Sequence, residues 1–206
     1  ARHVGLVSQH NGLLGPREAV FWVGSDGETL FLALKTELPP KGDLLTRAVP
    51  DGDRDITATL YDDSVELVIH PHLTLTAGDQ RFFHIIVNAR GAMFDRALDP
   101  ANAENPVSTA WRLPSWQFAN QTVDGFWHVE IAIPFAAIGA TADDLQHPWG
   151  LRVCRNWQRP WDQSRWESTI TAYEDLPSIP QVTFAAGAPV GQVLGLRGPE
   201  GPRIEL

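Results

Sequence analysis

The stretch Arg155-Asn-Trp-Gln-Arg-Pro-Trp-Asp-Gln-Ser-Arg-Trp-Glu167 gathers three Trp, three Arg, two Gln, one Asn and two acids into thirteen residues. Sugars offer apolar C–H faces, which lie flat on indole rings, and hydroxyls, which need forked donors and acceptors. Tryptophan supplies the first kind of contact here, and Arg155, Asn156, Asp162 and the glutamines the second. A hairpin whose tryptophans cap a core would use the same residues with no ligand at all. Nucleic-acid bases also stack on indole, but a strand-binding groove needs a basic field. The chain carries 16 Lys+Arg against 25 Asp+Glu, a net charge of −9, with no clustered basic footprint. Nucleic-acid binding is therefore not expected.

Other residues suggest chemistry more weakly. Asp51-Gly-Asp-Arg-Asp55 places carboxylates two residues apart, as oxygen-ligated calcium loops do. The helix–loop–helix calcium motif is excluded, because its sixth position needs Gly for a sharp turn and here holds Ile56. A looser structural calcium site on Asp51, Asp53 and Asp55 is the metal expectation, beside a plain solvated acidic loop. His70-Pro71-His72 has no third ligand nearby and reads as a pair of solvated loop histidines. His84 reads as a satisfied, partly buried strand residue rather than a base. Gly24-Ser25-Asp26-Gly27 lacks the spacing of a nucleophile elbow. Cys154 is the one cysteine, which rules out an internal disulfide, and its apolar flanks make it a core residue rather than a reactive thiol. Glu66 and Glu130, each in a strand-like run, are the pair a glycoside hydrolase would need. That catalytic use is the alternative to a binding role.

The elements that position these residues are short. Seventeen Gly and sixteen Pro punctuate the chain, and strand-like runs lie between them. The runs are Ala19–Val23, Thr29–Thr36, Ile56–Tyr61, Ser64–His70, Arg81–Asn88, Trp116–Asn120, Trp127–Ile133, Gly150–Trp157 and Gln192–Leu196. Ser25-Asp26-Gly27 joins the first two as a hairpin turn. Val65, Leu67 and Ile69, and likewise Trp127, Val129, Ile131 and Ile133, alternate with more polar neighbours, giving each strand a core face. Trp127 and Trp149 fall on inward faces. Pro134–Gly139 reads as one helical turn and Thr141–Leu145 as another, with Thr141 as N-cap. Leu38–Arg54 and Leu98–Pro114 are long polar loops.

The pattern predicts an all-β fold, a two-sheet antiparallel β-sandwich with one or two short helical turns. No apolar run approaches the ~20 residues that span a bilayer, so no membrane segment is expected. Glycine at every third position over Gly195–Arg203 is too brief for a triple helix and reads as a linker. Residues 1–196 are thus expected to form the domain and 197–206 a linker or the start of another. The start at Ala1 suggests a piece excised from something longer. Asn120-Gln-Thr122 is a glycosylation sequon, which matters only in a eukaryotic secretory pathway.

Five local patterns occur in order: Asp62-Asp-Ser-Val-Glu-Leu-Val-Ile69, Phe83-His-Ile-Ile-Val-Asn-Ala-Arg-Gly91, Gly125-Phe-Trp-His-Val-Glu-Ile-Ala-Ile-Pro-Phe135, Trp149-Gly-Leu-Arg-Val-Cys-Arg-Asn156 and Ser164-Arg-Trp166. With Thr29-Leu-Phe-Leu-Ala33 before them and Gly191-Gln-Val-Leu-Gly195 after, they span roughly residues 19–196. This arrangement resembles carbohydrate-binding module family 9 and its relatives in the DOMON-like superfamily. The resemblance implies a β-sandwich, often calcium-bearing, appended to a secreted bacterial polysaccharide-degrading enzyme. It further implies a terminal saccharide held between two tryptophans, with an acidic strand residue and polar partners beside it. Glu66 and Asn88 match those polar positions, and Trp166 matches one ring. Leu60 and Tyr61 stand where the second ring is expected, and Ile86 where another polar residue is expected. A second branch of the superfamily binds haem through Met and His; with Met93 the single methionine, no haem is expected.

The expectation is therefore a non-catalytic module that binds polysaccharide or oligosaccharide, extracellular or periplasmic, with covalently linked neighbouring domains. Tyr61, Trp161 and Trp166 would form its aromatic platform, and Glu66, Asn88 and Arg155 would fix the hydroxyl pattern. Arg155 and Glu130 could equally form a buried ion pair bracing the sheets. The rival expectation is a ligand-free β-sandwich spacer.

Overall fold

The computed structural model describes residues 2–15, 17–50, 59–74, 80–102, 104, 106–166, 172–184, 192–194 and 203–205. In chain order the strands are β1 (Arg2–Val4), β2 (Val7–Ser8), β3 (Ala19–Ser25), β4 (Thr29–Glu37), β5 (Ser64–His70), β6 (Phe82–Asn88), β7 (Met93–Leu98), β8 (Val107–Ser108), β9 (Gln117–Val123), β10 (Phe126–Pro134), β11 (Trp149–Gln158), β12 (Trp161–Arg165), β13 (Gln181–Val182), β14 (Gln192–Leu194) and β15 (Arg203–Glu205). They build a first sheet in the order β1-β3-β4-β10-β9 and a second in the order β2-β12-β11-β5-β6-β7-β8, with β13 paired to β11. Every pairing is antiparallel. β14 and β15 pair only with each other, and β15 falls within the segment read as a linker; the expected division after residue 196 lies outside the described residues.

Alternation in sequence becomes facing in space. Phe21, Leu32, Leu34, Val129 and Ile131 from the first sheet meet Val65, Leu67, Phe83, Ile85 and Val153 from the second in one buried cluster. Each such side chain, once buried, contributes ~1.5–3 kcal/mol against the exposed state. Trp127, Trp149 and Trp157 are the largest fully buried residues and fill the ends of this core. The β3–β4 turn forms as its residues dictate. Asp26 Oδ1 accepts the N–H groups of Glu28 and Thr29, and Gly27 adopts φ 97°. Both anticipated helical turns are 3₁₀: Phe135–Ile138, ended by Gly139 in the left-handed region, and Ala142–Gln146, started by a Thr141–Asp144 capping box.

The second sheet is buried on both faces. Alternating polarity in β5 predicts an outward face, yet every residue of β5 and β6 is buried. The reason is a strap, residues 172–184, that crosses the outer face of the second sheet. Its Tyr173 and Ile179 pack with Val68, Phe82 and Cys154 in a separate apolar cluster. Arg152, fully buried on β11, anchors the strap by donating to the carbonyl oxygens of Ala172, Tyr173 and Asp175 and to Ser178 Oγ. Gly150 permits the close approach, since a Cβ there would lie 3.1 Å from two Ile179 atoms and 3.2 Å from His70 Cβ.

Three readings are corrected. Thr59 and Leu60 are helical rather than the end of a strand. β7 and β12 are strands that polar sequence concealed. His70 and His72 are buried: His70 stacks on Phe82, and His72 Nε2 lies 3.2 Å from Asp144 Oδ1. No helix among the described residues is long and apolar enough to cross a membrane. Asn120, on β9, accepts the Trp127 indole N–H at its Oδ1 and donates from its Nδ2 to the Ala89 carbonyl.

Candidate functional site

The hairpin β11–β12 explains why so polar a run as Trp161-Asp-Gln-Ser-Arg165 folds as a strand. Asp162 and Ser164 turn inward, Trp161, Gln163 and Arg165 outward. The inward carboxylate of Asp162 meets Arg155 Nη2 at 3.0 Å, and Arg155 Nη1 donates across the core to Thr36 Oγ1, also at 3.0 Å. Arg155 is fully buried, with its guanidinium over the Trp157 ring. Burial lowers its pKa, and the Asp162 charge works against that. The sheets are thus braced by Arg155 as expected, but its partner is Asp162. Glu130 points away from the core on the outer face of the first sheet.

Of the outward residues, Arg165 is fully buried against the Tyr173 ring, while Trp161 reaches a rim at the turn end of the hairpin. Trp161 is 61 % exposed, with the His10 ring tilted against it at 4.6 Å. Tyr61, 62 % exposed, sits on the adjoining turn. Gln158, the partner of Trp161 across the hairpin, ties the two turns together. Its Nε2 donates to the carbonyls of Leu60 (2.8 Å) and Asp62 (3.3 Å), and its backbone N–H donates to Asp63 Oδ1 (2.7 Å). Asp62 and Asp63 are buried and grip loop 44–48 by accepting the N–H groups of Leu45, Arg47 and Ala48. Desolvation raises the pKa of Asp63, and those two backbone N–H groups from Leu45 and Gln158 oppose the rise. Tyr61 and Trp161 are therefore carried on turns fixed from below.

The other anticipated contact residues lie beneath this rim. Asn88 is fully buried; its Nδ2 donates to Asp62 Oδ2 and the Ala48 carbonyl, and its Oδ1 accepts from the N–H groups of Arg90 and Ala92. Glu66 is buried under the strap between two partners: His84 Nε2 at 2.5 Å and Asn156 Nδ2 at 2.8 Å. The opposite ring nitrogen of His84 lies 3.2 Å from Glu174 Oε1, which also pairs with Arg96. Burial alone would push the imidazole down, but the Glu66 and Glu174 carboxylates override it and raise its pKa to about 9. The hydrogen bond from His84 pulls Glu174 down to about 2, against its own partial burial. His84 thus sits between two carboxylates that favour its charged form, with Arg96 Nε 3.0 Å from the same Nδ1 that faces Glu174. Trp166, half-buried, meets Phe21 edge-on at 5.1 Å and packs on the main core, away from the Trp161 ring face.

Glu66 and Glu130 do not form a pair. Glu66 faces outward from the second sheet and Glu130 outward from the first, on opposite sides of a core ~10 Å thick. Asp51, Asp53 and Asp55 lie outside the described residues, and among the described residues no three His, Cys, Asp or Glu side chains gather as a metal-holding group. Sequence reasoning missed His10 and Glu174, and took Gln158 for a hydroxyl contact where the structure makes it a tie between two turns. Glu174 had no signal, since its role depends on the strap.

No protein-family model matches the sequence, and no curated protein matches it. Solved structures do match. A candidate carbohydrate-binding protein from Bacteroides uniformis superposes with a TM-score of 0.64 at 15% identity, over 90% of this chain and 86% of that one. The chain has the fold of a family 9 carbohydrate-binding module. The module of that family from Caldicellulosiruptor kristjanssonii superposes in its glucose complex with a TM-score of 0.56 at 11% identity, covering 88% of this chain and 84% of that one. Its cellotriose complex gives 0.57 at 11% identity, covering 92% and 86%. Identities this low establish the family 9 architecture, the antiparallel β-sandwich, and nothing finer.

Proposed function

We propose that the protein is a non-catalytic carbohydrate-binding module, a secreted part of a larger protein, that takes a saccharide between Tyr61 and Trp161. The observation that carries this reading is that two large rings stand more than 60 % exposed on adjoining turns held rigid by Gln158, Asp62 and Asp63. Exposing two large aromatic rings forfeits burial energy, and a sugar recovers it by covering ring faces with C–H groups while its hydroxyls stay hydrated. Gln163, outward on the same hairpin, supplies a polar contact. Glu66 and Asn88, and the two terminal nitrogens of Arg155, are engaged by protein partners, so in this reading they hold the rim in place from beneath, and Trp166 does the same from the core. Family 9 modules with glucose and cellotriose bound share the fold, which supports a sugar as the ligand class.

Affinity electrophoresis through gels containing hydroxyethylcellulose, xylan, β-1,3-glucan or mannan tests the proposal. Retardation in one gel, lost in Trp161→Ala and Tyr61→Ala with the far-ultraviolet circular dichroism unchanged, is the expected result. A second reading, a ligand-free spacer, is favoured by the engagement of Glu66, Asn88 and Arg155 inside the fold; free migration in all four gels would establish it.

A further inference from the structure

Among the described residues, β9 is the one long strand at an edge of either sandwich sheet. The other edges are β1, β2 and β8, of three, two and two residues. β9 runs seven residues, Gln117–Val123, and pairs only with β10. All of them but Phe118 are exposed, and among the described residues no backbone hydrogen bond reaches the free side of the strand. Sheets ordinarily blunt such an edge with charged side chains or proline. β9 has neither: Gln-Phe-Ala-Asn-Gln-Thr-Val is uncharged throughout, in a chain of net charge −9. Its inward side chains are engaged within its own sandwich. The Phe118 ring would lie 3.7 Å from a Cβ at Gly91, and Asn120 Nδ2 donates to the Ala89 carbonyl at 3.1 Å. The turn 89–91 thus fills the space beneath the edge.

From this we infer that β9 is a self-association edge: two copies of the chain pair antiparallel along it, about a two-fold axis at Asn120, and join their first sheets into one. The pairing sets Gln117 against Val123, Phe118 against Thr122 and Ala119 against Gln121, one residue of each pair from either copy. Such an interface is isologous, and it places no like charges opposite each other, which would destabilise a cross-strand pair. Charges on the neighbouring strands stay apart. Glu130 and His128 flank Ala119 and Gln121 on β10, and Lys35 lies one strand further on. Each stands at least three strand spacings, about 14 Å, from any of these groups in the second copy, beyond the ~8 Å Debye length of physiological salt. A strand from an unrelated protein fits less well. Strand addition draws specificity from pockets for alternate side chains of the guest, and the space beneath β9 is filled. A second copy needs no pocket, because its inward residues are already seated on its own second sheet. The inference does not rest on the Tyr61–Trp161 rim.

Sedimentation velocity over a concentration series up to about 1 mM is the test. A seven-residue edge buries less than the ~800 Å² per partner of a standard interface, so the dimer should dissociate on the order of 100 μM. Two double variants set the charge at one pair of facing positions. Gln117→Lys/Val123→Lys opposes like charges twice in each dimer, and Gln117→Lys/Val123→Glu opposes unlike charges twice. Both positions are exposed, so far-ultraviolet circular dichroism should match the wild type. The expected result is a reversible wild-type dimer, weakened about tenfold in the first variant and restored or tightened in the second. A wild type that stays monomeric at the highest concentration overturns the inference, and leaves only a strand of another protein for that edge. A dimer that responds alike to both variants also overturns it, because the sign at Val123 matters only where Gln117 of a second copy faces it.

Discussion

The clamped imidazolium of His84 makes stability depend on pH in a defined direction. Its pKa rises from 6.5 to about 9 on folding, so the charged form stabilises the native state. That contribution is complete below pH 6.5, declines as pH rises, and is gone above about 9. On the acid side, Glu174 is held at about 2 rather than 4.5, so its contribution is lost as pH falls from 4.5 towards 2. The cluster is at full strength between those windows. Lifting an imidazole from 6.5 to about 9 corresponds to ~3 kcal/mol at 1.36 kcal/mol per pH unit, or roughly 6–12 °C in Tm for a chain of this size. In His84→Gln the ring charge is absent, so urea unfolding at pH 6 and pH 9.5 should show a gap from the wild type that closes by ~3 kcal/mol at the higher pH. In the wild type, the ¹⁵N imidazole resonances of His84 should titrate with a midpoint near 9; on losing the proton, Nδ1 becomes an acceptor for Arg96 Nε, 3.0 Å away. Equal pH slopes for the two proteins, or a midpoint below 7, would refute the clamp.

The remaining predictions concern packing and metal. Arg155→Met strands Asp162 at the core edge and should cost about 3 kcal/mol by urea unfolding, with Arg155→Met/Asp162→Leu recovering part of it. Gly150→Ala should lose about 1–3 kcal/mol in the same assay, because its methyl must displace Ile179 and the strap. If Asp51, Asp53 and Asp55 hold calcium, adding CaCl₂ after chelator treatment raises Tm in the wild type and leaves Asp51→Asn/Asp53→Asn unmoved.

How far the fold could be read follows from the range of the interactions that set it. β5 was legible to the residue, and β3, β4, β6, β10 and β11 to within one or two, because the alternation of Val65, Leu67 and Ile69 or of Trp127, Val129 and Ile131 is local. β12 was hidden because its inward side chains, Asp162 and Ser164, are polar, and what makes them tolerable is Arg155 on the neighbouring strand. The burial of Glu66 was equally illegible. The sequence pattern marks it as outward, which is correct for the sheet, but the strap that covers it arrives more than a hundred residues later. Trp161 and Trp166 illustrate the limit at the site. They share one short motif, yet strand parity sends Trp161 outward to the rim and Trp166, on the parity of Asp162 and Ser164, inward to Phe21.

The double engagement of Asn120 bears on how the protein should be made. Its amide already serves the Trp127 indole and the Ala89 carbonyl, so a glycan attached at Nδ2 in a yeast or mammalian host would compete with the bond to Ala89 beside the core. Bacterial production avoids that lesion, and it also keeps a protein whose affinity for sugar is to be measured free of sugar of its own.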